Sequence, residues 1–288
     1  MHHAKPEDEM IPVLKRLAAN KTALTGAIIS VLVAFAVVFG PMISPYDGDS
    51  MDVMAMLAPP SLAHPFGTDT MGRDVLTRVL YGARLSLLIS ISGVGVAAVL
   101  GSMIGLFIAY RPGFFSNVLM KASDLLFSFP SFVLALFLMV VLGYGVFNVA
   151  LAIALIYLPI FVRLARNLAQ LIVMEPWVQA AKLFGQPTHS ILLRELLPNA
   201  LSPLLVQATI GVAFGIVIEA GVSFLGLGVQ PPAPSLGLVM SDGREYFNTA
   251  PWVLTMTGLA ISIALLGLNL LGDGLRDLTD PKLKERLS

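Results

Sequence analysis

The sequence predicts an all-α integral membrane protein with six transmembrane helices, because of its composition and the spacing of its charges. Of its 288 residues, 56% are hydrophobic and only 12% are charged, whereas soluble proteins carry about 25% charged residues. So little charge cannot solvate a globular surface, which places the chain in the membrane class. The formal net charge is +0, so no basic field indicates a nucleic-acid partner.

Uncharged stretches between charged residues predict where the spans lie. The stretch between Asp124 and Arg163 would make a helix of about 57 Å, longer than the roughly 30 Å hydrocarbon core. It must therefore hold two spans, and Gly143-Tyr144-Gly145 is the obvious turn between them. The predicted spans are 22–43, 85–110, 118–142, 147–166, 201–225 and 252–272.

The lysines and arginines predict the orientation. With a cytoplasmic N-terminus, the external segments hold only Arg73, Arg78, Arg84 and Arg244, four of the 18 cationic residues. The positive-inside rule therefore predicts that both termini are cytoplasmic. Residues 1–21 are then a cytoplasmic tail and 22–288 a single six-span domain, with external loops 44–84 and 226–251 and a cytoplasmic loop 167–200.

The cytoplasmic loop is predicted to contain a short helix. Pro176 suits a first helical turn, where its missing N–H costs nothing, and Gly185 suits the position just after a helix end. Ala180 and Ala181 would let another backbone approach closely. Two uses remain open from these residues alone: docking into a groove of a partner protein, or lying on the membrane surface as an amphipathic connector.

Two short segments of this loop resemble a known signature. Gln179-Ala180-Ala181, Gly185 six residues after Gln179, and Leu196-Leu197-Pro198-Asn199 are similar to the cytoplasmic loop of ATP-binding-cassette (ABC) importer permeases. That signature is usually written Glu-Ala-Ala, three residues, Gly, then a hydrophobic-Leu-Pro ending. This chain has Gln179 where the pattern has Glu, so it lacks the charge on which a salt bridge there would depend.

The resemblance implies a type I ABC importer permease fold and a coupling helix that docks on an ATP-binding subunit. The contact residues it implies are Trp177, Gln179, Ala180, Ala181, Lys182, Leu183, Phe184 and Gly185.

Further stretches narrow the resemblance to one subfamily. His64-Pro65-Phe66-Gly67-Thr68-Asp69, Gly72-Arg73-Asp74 and the run from Tyr81 to Ser86 resemble the second, C-type permease of dipeptide, oligopeptide and nickel importers. The C-terminal Gly272-Asp273-Gly274-Leu275-Arg276-Asp277, with Asp280-Pro281-Lys282, resembles the ending of that group.

This subfamily implies a non-catalytic subunit of the bacterial inner membrane that forms half of a path for di- or oligopeptides or a related small solute. It also implies the partners: a homologous second permease, two cytoplasmic ATP-binding subunits and an extracytoplasmic substrate-binding protein. ATP and Mg²⁺ would bind to the ATP-binding subunits, and this chain would hold no cofactor or metal.

Two polar residues within predicted spans are candidates for the substrate pathway. Glu219 is the one acid deep in a span, and intramembrane acids are functional candidates by default. A hydrogen-bonded structural role for Glu219 remains open. Asn269 lies in the sixth span, where an amide can also hydrogen-bond between helices.

Two other function classes are less well supported. A secondary transporter often shows inverted repeats and ionisable residues at mid-membrane, and here no clear repeat is found and only Glu219 qualifies. A membrane enzyme would need a nucleophile or metal cluster within its spans, and the chain has no cysteine and only four scattered histidines. The segment from Gly67 to Asp74 half-matches a phosphate loop, but Asp74 would repel phosphates.

Overall fold

The computed structural model describes residues 21–279, which form α-helices and connecting loops. The predicted tail, except for Lys21, and the Asp280-Pro281-Lys282 motif lie outside the described residues. The helices are α1 (Lys21–Ile43), α2 (Val75–Tyr110), α3 (Phe114–Phe127), α4 (Ser131–Leu142), α5 (Val146–Ile172), α6 (Pro176–Leu183), α7 (Thr188–Phe224), α8 (Leu236–Arg244) and α9 (Pro251–Thr279).

The predicted all-α membrane class is confirmed. Within the described part of the chain, α1, α2, α5, α7 and α9 are each long and apolar enough to cross a membrane. Helices α3 and α4 together make a sixth candidate, although they are bent by 96° relative to each other.

The region predicted as the third span, 118–142, is therefore not one continuous helix. Helix α3 ends at Phe127 and α4 begins at Ser131. Pro130 between them is extended, with φ −56° and ψ 128°. Proline lacks the N–H that would continue the ladder, and its ring clashes with the preceding turn, so the break falls where the sequence places this residue.

Several helices extend beyond the predicted spans. Helix α2 begins at Val75 rather than at residue 85, because the Asp74 carboxylate caps it by accepting a 2.8 Å hydrogen bond from the Thr77 N–H. The predicted external loop 44–84 therefore ends in the first turns of α2. The predicted loop 167–200 likewise contains the end of α5, all of α6 and the first turns of α7, where Ile191–Leu196 is π-helical. Charge spacing marks the edges of the hydrocarbon layer, and helices continue past those edges.

Helix α2 packs closely against α5 through small residues. A Cβ added to Gly105 would lie 2.3 Å from the Val162 carbonyl oxygen, and one added to Gly101 would lie 2.7 Å from the Phe161 Cβ. Only glycine permits this separation, as in other membrane helix crossings. Helix α7 packs against both α2 and α5. The hydrophobic core formed by these three helices also includes Val178 of α6.

Candidate coupling site

Helix α6 is a short helix with defined ends. Pro176 is in its first turn and Glu175 precedes it. At its end, the Gly185 N–H donates to the Lys182 carbonyl at 3.1 Å, and the Gln186 N–H donates to the Ala181 carbonyl at 3.0 Å. Gly185 has φ +74°, and this pair of bonds is the Schellman motif that closes a helix at a left-handed residue. The helix therefore has a fixed length and direction.

One face of α6 is anchored in the protein core. Val178 is only 1% exposed and belongs to the same buried cluster as Ile191 and Leu196 of α7. Ala181 is half-buried and packs against that cluster. The core contact holds α6 against the start of α7, so the helix is a rigid part of the fold.

The other face is apolar and uncovered. Leu183 is 87% exposed and Phe184 is 90% exposed, and Trp177 is about half exposed. Leu171 and Met174, just before α6, are also exposed. These five residues are here called the coupling surface. Large apolar side chains exposed close together in the sequence are typical of an interaction site, so this surface suits a protein groove.

Gln179 points back into its own chain. Its side-chain amide Nε2 donates a 2.7 Å hydrogen bond to the carbonyl oxygen of Val173, the capping residue that follows α5. An ionised glutamate has no N–H or O–H to donate, so this bond is specific to glutamine. The sequence pattern placed Gln179 among the partner contacts and did not reveal this intrachain role.

The remaining predicted coupling residues differ in exposure. Ala180 is half-buried, whereas Lys182 and Gly185 are exposed. The Lys182 Nζ lies 5.9 Å from the centre of the Tyr110 ring at the end of α2. Next to it, the Arg111 guanidinium donates a 2.8 Å hydrogen bond to the Thr188 hydroxyl. The end of α2 therefore contacts the last turn of α6 and the first residue of α7.

Glu219, a predicted pathway residue, is completely enclosed by its own chain. Its side chain is 0% exposed, and its Oε1 accepts a 2.7 Å hydrogen bond from the Ser223 hydroxyl. Ser86 of α2 and Ser235 before α8 lie beside the same carboxyl group, and both serines are buried. This burial favours the hydrogen-bonded structural role. Asn269 is half-buried on α9, away from these serines in the sequence.

A buried charge network at the start of α2 was missed by the sequence reasoning. Arg78 is 2% exposed, and its Nη1 donates 2.8 Å hydrogen bonds to both Asp69 and Asp242. Arg73 pairs with the same two carboxylates at 2.7 and 3.3 Å. The four residues are here called the Arg–Asp network. Asp69 and Arg73 are close in sequence, but no local pattern could reveal Asp242.

The comparisons with known proteins agree with this architecture. The sequence model of the family described as binding-protein-dependent transport system inner membrane component matches residues 76–285. A second model, described as the N-terminal TM domain of oligopeptide transport permease C, matches residues 12–60.

Several curated proteins are similar over nearly the full length. The di/tripeptide transport system permease protein DppC of Pseudomonas aeruginosa is 39% identical, over 93% of this chain and 90% of its own length. The probable D,D-dipeptide transport system permease protein DdpC of Escherichia coli K12 is 38% identical, covering 92% and 89%. The glutathione transport system permease protein GsiD of Escherichia coli O6:K15:H31 is 37% identical, covering 94% and 89%.

A solved structure shows the same fold. A chain in inward-facing conformations of the MetNI methionine ABC transporter superposes with a TM-score of 0.56 at 20% identity, covering 70% of this chain and 96% of that one. The type I ABC importer permease fold predicted from the resemblance is thereby confirmed. Since the first family model alone spans more than half of the sequence, the chain belongs to the family of binding-protein-dependent transport system inner membrane components.

Proposed function

We propose that this permease carries di- or tripeptides or a closely related short peptide. The relatives named above are described as permeases for di/tripeptides, D,D-dipeptides and glutathione. These solutes share a small peptide body with charged ends. The chain is a non-catalytic permease subunit of an ABC importer in the bacterial inner membrane.

The proposed role of α6 is to couple this chain to an ATP-binding subunit. The observation that carries it is the contrast between the two faces of α6, since Val178 is buried in the core while Leu183 and Phe184 are almost fully exposed. A helix anchored on one side and apolar on the other is suited to lie in a groove of a partner. Movement of that partner would then be transmitted to α5 and α7, on which α6 is mounted.

The proposed assembly follows from this coupling. A homologous second permease would complete the translocation path, two cytoplasmic subunits would bind ATP and Mg²⁺, and an external binding protein would deliver the peptide. ATP-driven closure of the cytoplasmic pair would switch the path between its two openings. Both termini and the coupling surface would face the cytoplasm, as the distribution of lysine and arginine indicates.

Site-specific crosslinking tests the coupling role. The chain has no cysteine, so Phe184→Cys and Ala180→Cys each introduce a single thiol. In membranes that contain the full transporter, both variants should crosslink to the ATP-binding subunit. Leu62→Cys is the matched control, because Leu62 is equally exposed but lies in the predicted external loop. Absence of a crosslink at both test positions, or equal crosslinking at Leu62→Cys, would refute the coupling role.

Transport assays test the function as a whole. Proteoliposomes that contain the complete transporter, with the ATP-binding subunits on the inner side, should take up a labelled dipeptide when ATP is present inside. Without ATP inside, they should take up none. Uptake by this chain without those subunits would instead show a secondary transporter.

A further inference from the structure

A short segment of the predicted external loop carries four exposed apolar side chains. Met54 is 95% exposed, and the other three are more than half exposed. The segment contains a three-residue helical turn, Val53–Ala55. So many large apolar side chains exposed within six residues are typical of an interaction site. The four residues, here called the platform surface, are Met51, Val53, Met54 and Met56.

The backbone that carries the platform surface is held in one conformation. The Asp52 carboxylate accepts a 2.9 Å hydrogen bond from the Met54 N–H. The Thr68 N–H donates a 3.0 Å hydrogen bond to the Ala58 carbonyl oxygen. Gly72 lies so close to the Asp52 carbonyl that a side chain at this position would collide with it. The segment is therefore a fixed part of the fold that rests on the turn before α2.

The platform surface is attached to three helices. Leu57 follows it directly and packs against a buried cluster that contains Val75 of α2 and Leu236 of α8. The Trp252 Nε1, at the start of α9, donates a 3.1 Å hydrogen bond to the carbonyl oxygen of Thr68, and Thr68 is fully buried. A partner that binds to the platform surface would therefore act directly on the first turns of α2, α8 and α9.

Three carboxylates lie next to the platform surface in the sequence. Asp47 and Asp49 precede it and Asp52 lies within it, and all three residues are exposed. None of them takes part in an ion pair within residues 21–279. Unpaired carboxylates need water, so this segment lies outside the hydrocarbon layer and acyl chains do not cover it. The platform surface thus combines apolar side chains with an acidic surround.

We propose that the platform surface docks the external substrate-binding protein, and that this partner presents an apolar patch with a basic rim. The inference rests on the proposed function, in which this end of α2 faces outward. The family is described as binding-protein-dependent, so the assembly includes such a partner. Methionine side chains are flexible and adapt to different partner surfaces, which suits a protein that binds and leaves in each transport cycle.

A permanent contact with the second permease fits this surface less well. Permanent subunit interfaces bury about 2,000 Å² or more and are more apolar, whereas the platform surface has four apolar side chains beside three unpaired carboxylates. Complementary charge mainly speeds association and selects the partner. The docking proposed here should accordingly weaken as salt screens the charges.

Affinity measurements test the docking role. The complete transporter in lipid nanodiscs would be titrated with its purified, fluorescently labelled binding protein at low and at high salt. Met54→Ser should weaken binding about tenfold, because it removes most of the apolar area that this side chain would bury. Asp49→Lys should weaken binding about tenfold at low salt and less at high salt. Asp49→Asn should have an intermediate effect.

Two further variants make the test specific. Met42→Ser is the matched control, because Met42 is also an exposed methionine but belongs to the last turn of α1. It should bind the binding protein as the wild type does. Met54→Cys introduces the only thiol of the chain, and with a thiol-reactive crosslinker it should join the binding protein, whereas Phe184→Cys on the coupling surface should not. Thermal unfolding of each variant shows whether its fold is intact.

The outcomes separate this inference from the proposed function. Wild-type affinity in both Met54→Ser and Asp49→Lys, or the absence of a crosslink from Met54→Cys to the binding protein, would overturn the inference. Loss of the second permease from purified Met54→Ser transporter would assign the platform surface to that subunit and would also overturn it. If the wild-type transporter binds no external protein and takes up no peptide, the proposed function itself fails.

Discussion

The side-chain amide of Gln179 donates a 2.7 Å hydrogen bond to the carbonyl oxygen of Val173, and this bond joins α6 to the end of α5. It crosses the turn between the two helices, where Glu175 and Pro176 begin a new helix. The coupling surface is thereby held at one angle to a helix that crosses the membrane. Rigid attachment of this kind is what mechanical transmission from a partner subunit requires.

Gln179→Glu should weaken this attachment. The carboxylate cannot donate a hydrogen bond, and its oxygen would face the Val173 carbonyl oxygen. We therefore expect the contact between α6 and the end of α5 to lose about 0.5–1.5 kcal/mol of stability, the net contribution of one hydrogen bond. The number of peptides taken up per ATP hydrolysed should fall, while ATP hydrolysis continues.

Gln186→Glu is the matched control. The Gln186 amide donates to the Ser190 hydroxyl at 2.8 Å, and that hydroxyl can donate to a carboxylate instead. Its coupling ratio should stay at the wild-type value. Equal coupling ratios for the two variants would contradict the role assigned to Gln179.

Gly185→Ala should destabilise the end of α6. Nothing lies within 4 Å of an added Cβ, so the cost arises only from the φ of +74°, about 1–2 kcal/mol for a residue with a side chain. Gly113→Ala is the comparison, because Gly113 is equally open but has an extended φ of 162°. Limited proteolysis should cut the Gly185→Ala loop faster than the wild type, and the Gly113→Ala protein should match the wild type.

Arg78→Met should be strongly destabilising. Arg78 is buried and pairs with Asp69 and Asp242. Its removal leaves Arg73 to pair with both carboxylates, and removing one partner from a buried ion pair costs about 3–5 kcal/mol. Arg244→Met, on the same helix as Asp242, removes an exposed arginine and should change stability by about 0.5 kcal/mol or less. In thermal unfolding of the purified transporter, the midpoint temperature should be clearly lower for Arg78→Met than for the wild type, and unchanged for Arg244→Met. Similar midpoint temperatures for the two variants would mean that the Arg–Asp network does not stabilise the fold.

Glu219→Gln should preserve both folding and uptake. The amide keeps the shape of the side chain and an oxygen that can accept from Ser223, so we expect a change of about 1 kcal/mol or less in stability. Glu219→Leu removes the carboxylate oxygen that accepts the hydrogen bond of the buried Ser223 hydroxyl, so this variant should unfold at a lower temperature. Loss of uptake in Glu219→Gln at unchanged stability would instead assign Glu219 to the substrate pathway.

Local sequence patterns were sufficient for the class of protein, the approximate positions of most of the long apolar helices and the short helix α6. Each of these depends on neighbours in the chain. A deficit of charge excludes a soluble surface, uncharged stretches have the length that a bilayer needs, and Pro176 and Gly185 act within one turn of a helix end. The resemblance at Gln179-Ala180-Ala181 supplied the family, which the comparisons then confirmed.

The tertiary structure was needed for everything that depends on contacts between distant residues. Arg78 and Asp242 are 164 positions apart, and no pattern along the chain brings them together. The burial of Glu219 and the pairing of Asp124 with Arg163 arise in the same way, from how helices pack after they form. Pro130 explains where the helix breaks, but not the 96° angle between α3 and α4. Even the direction of the Gln179 side chain depends on where the turn places the end of α5, which residue identity alone does not specify.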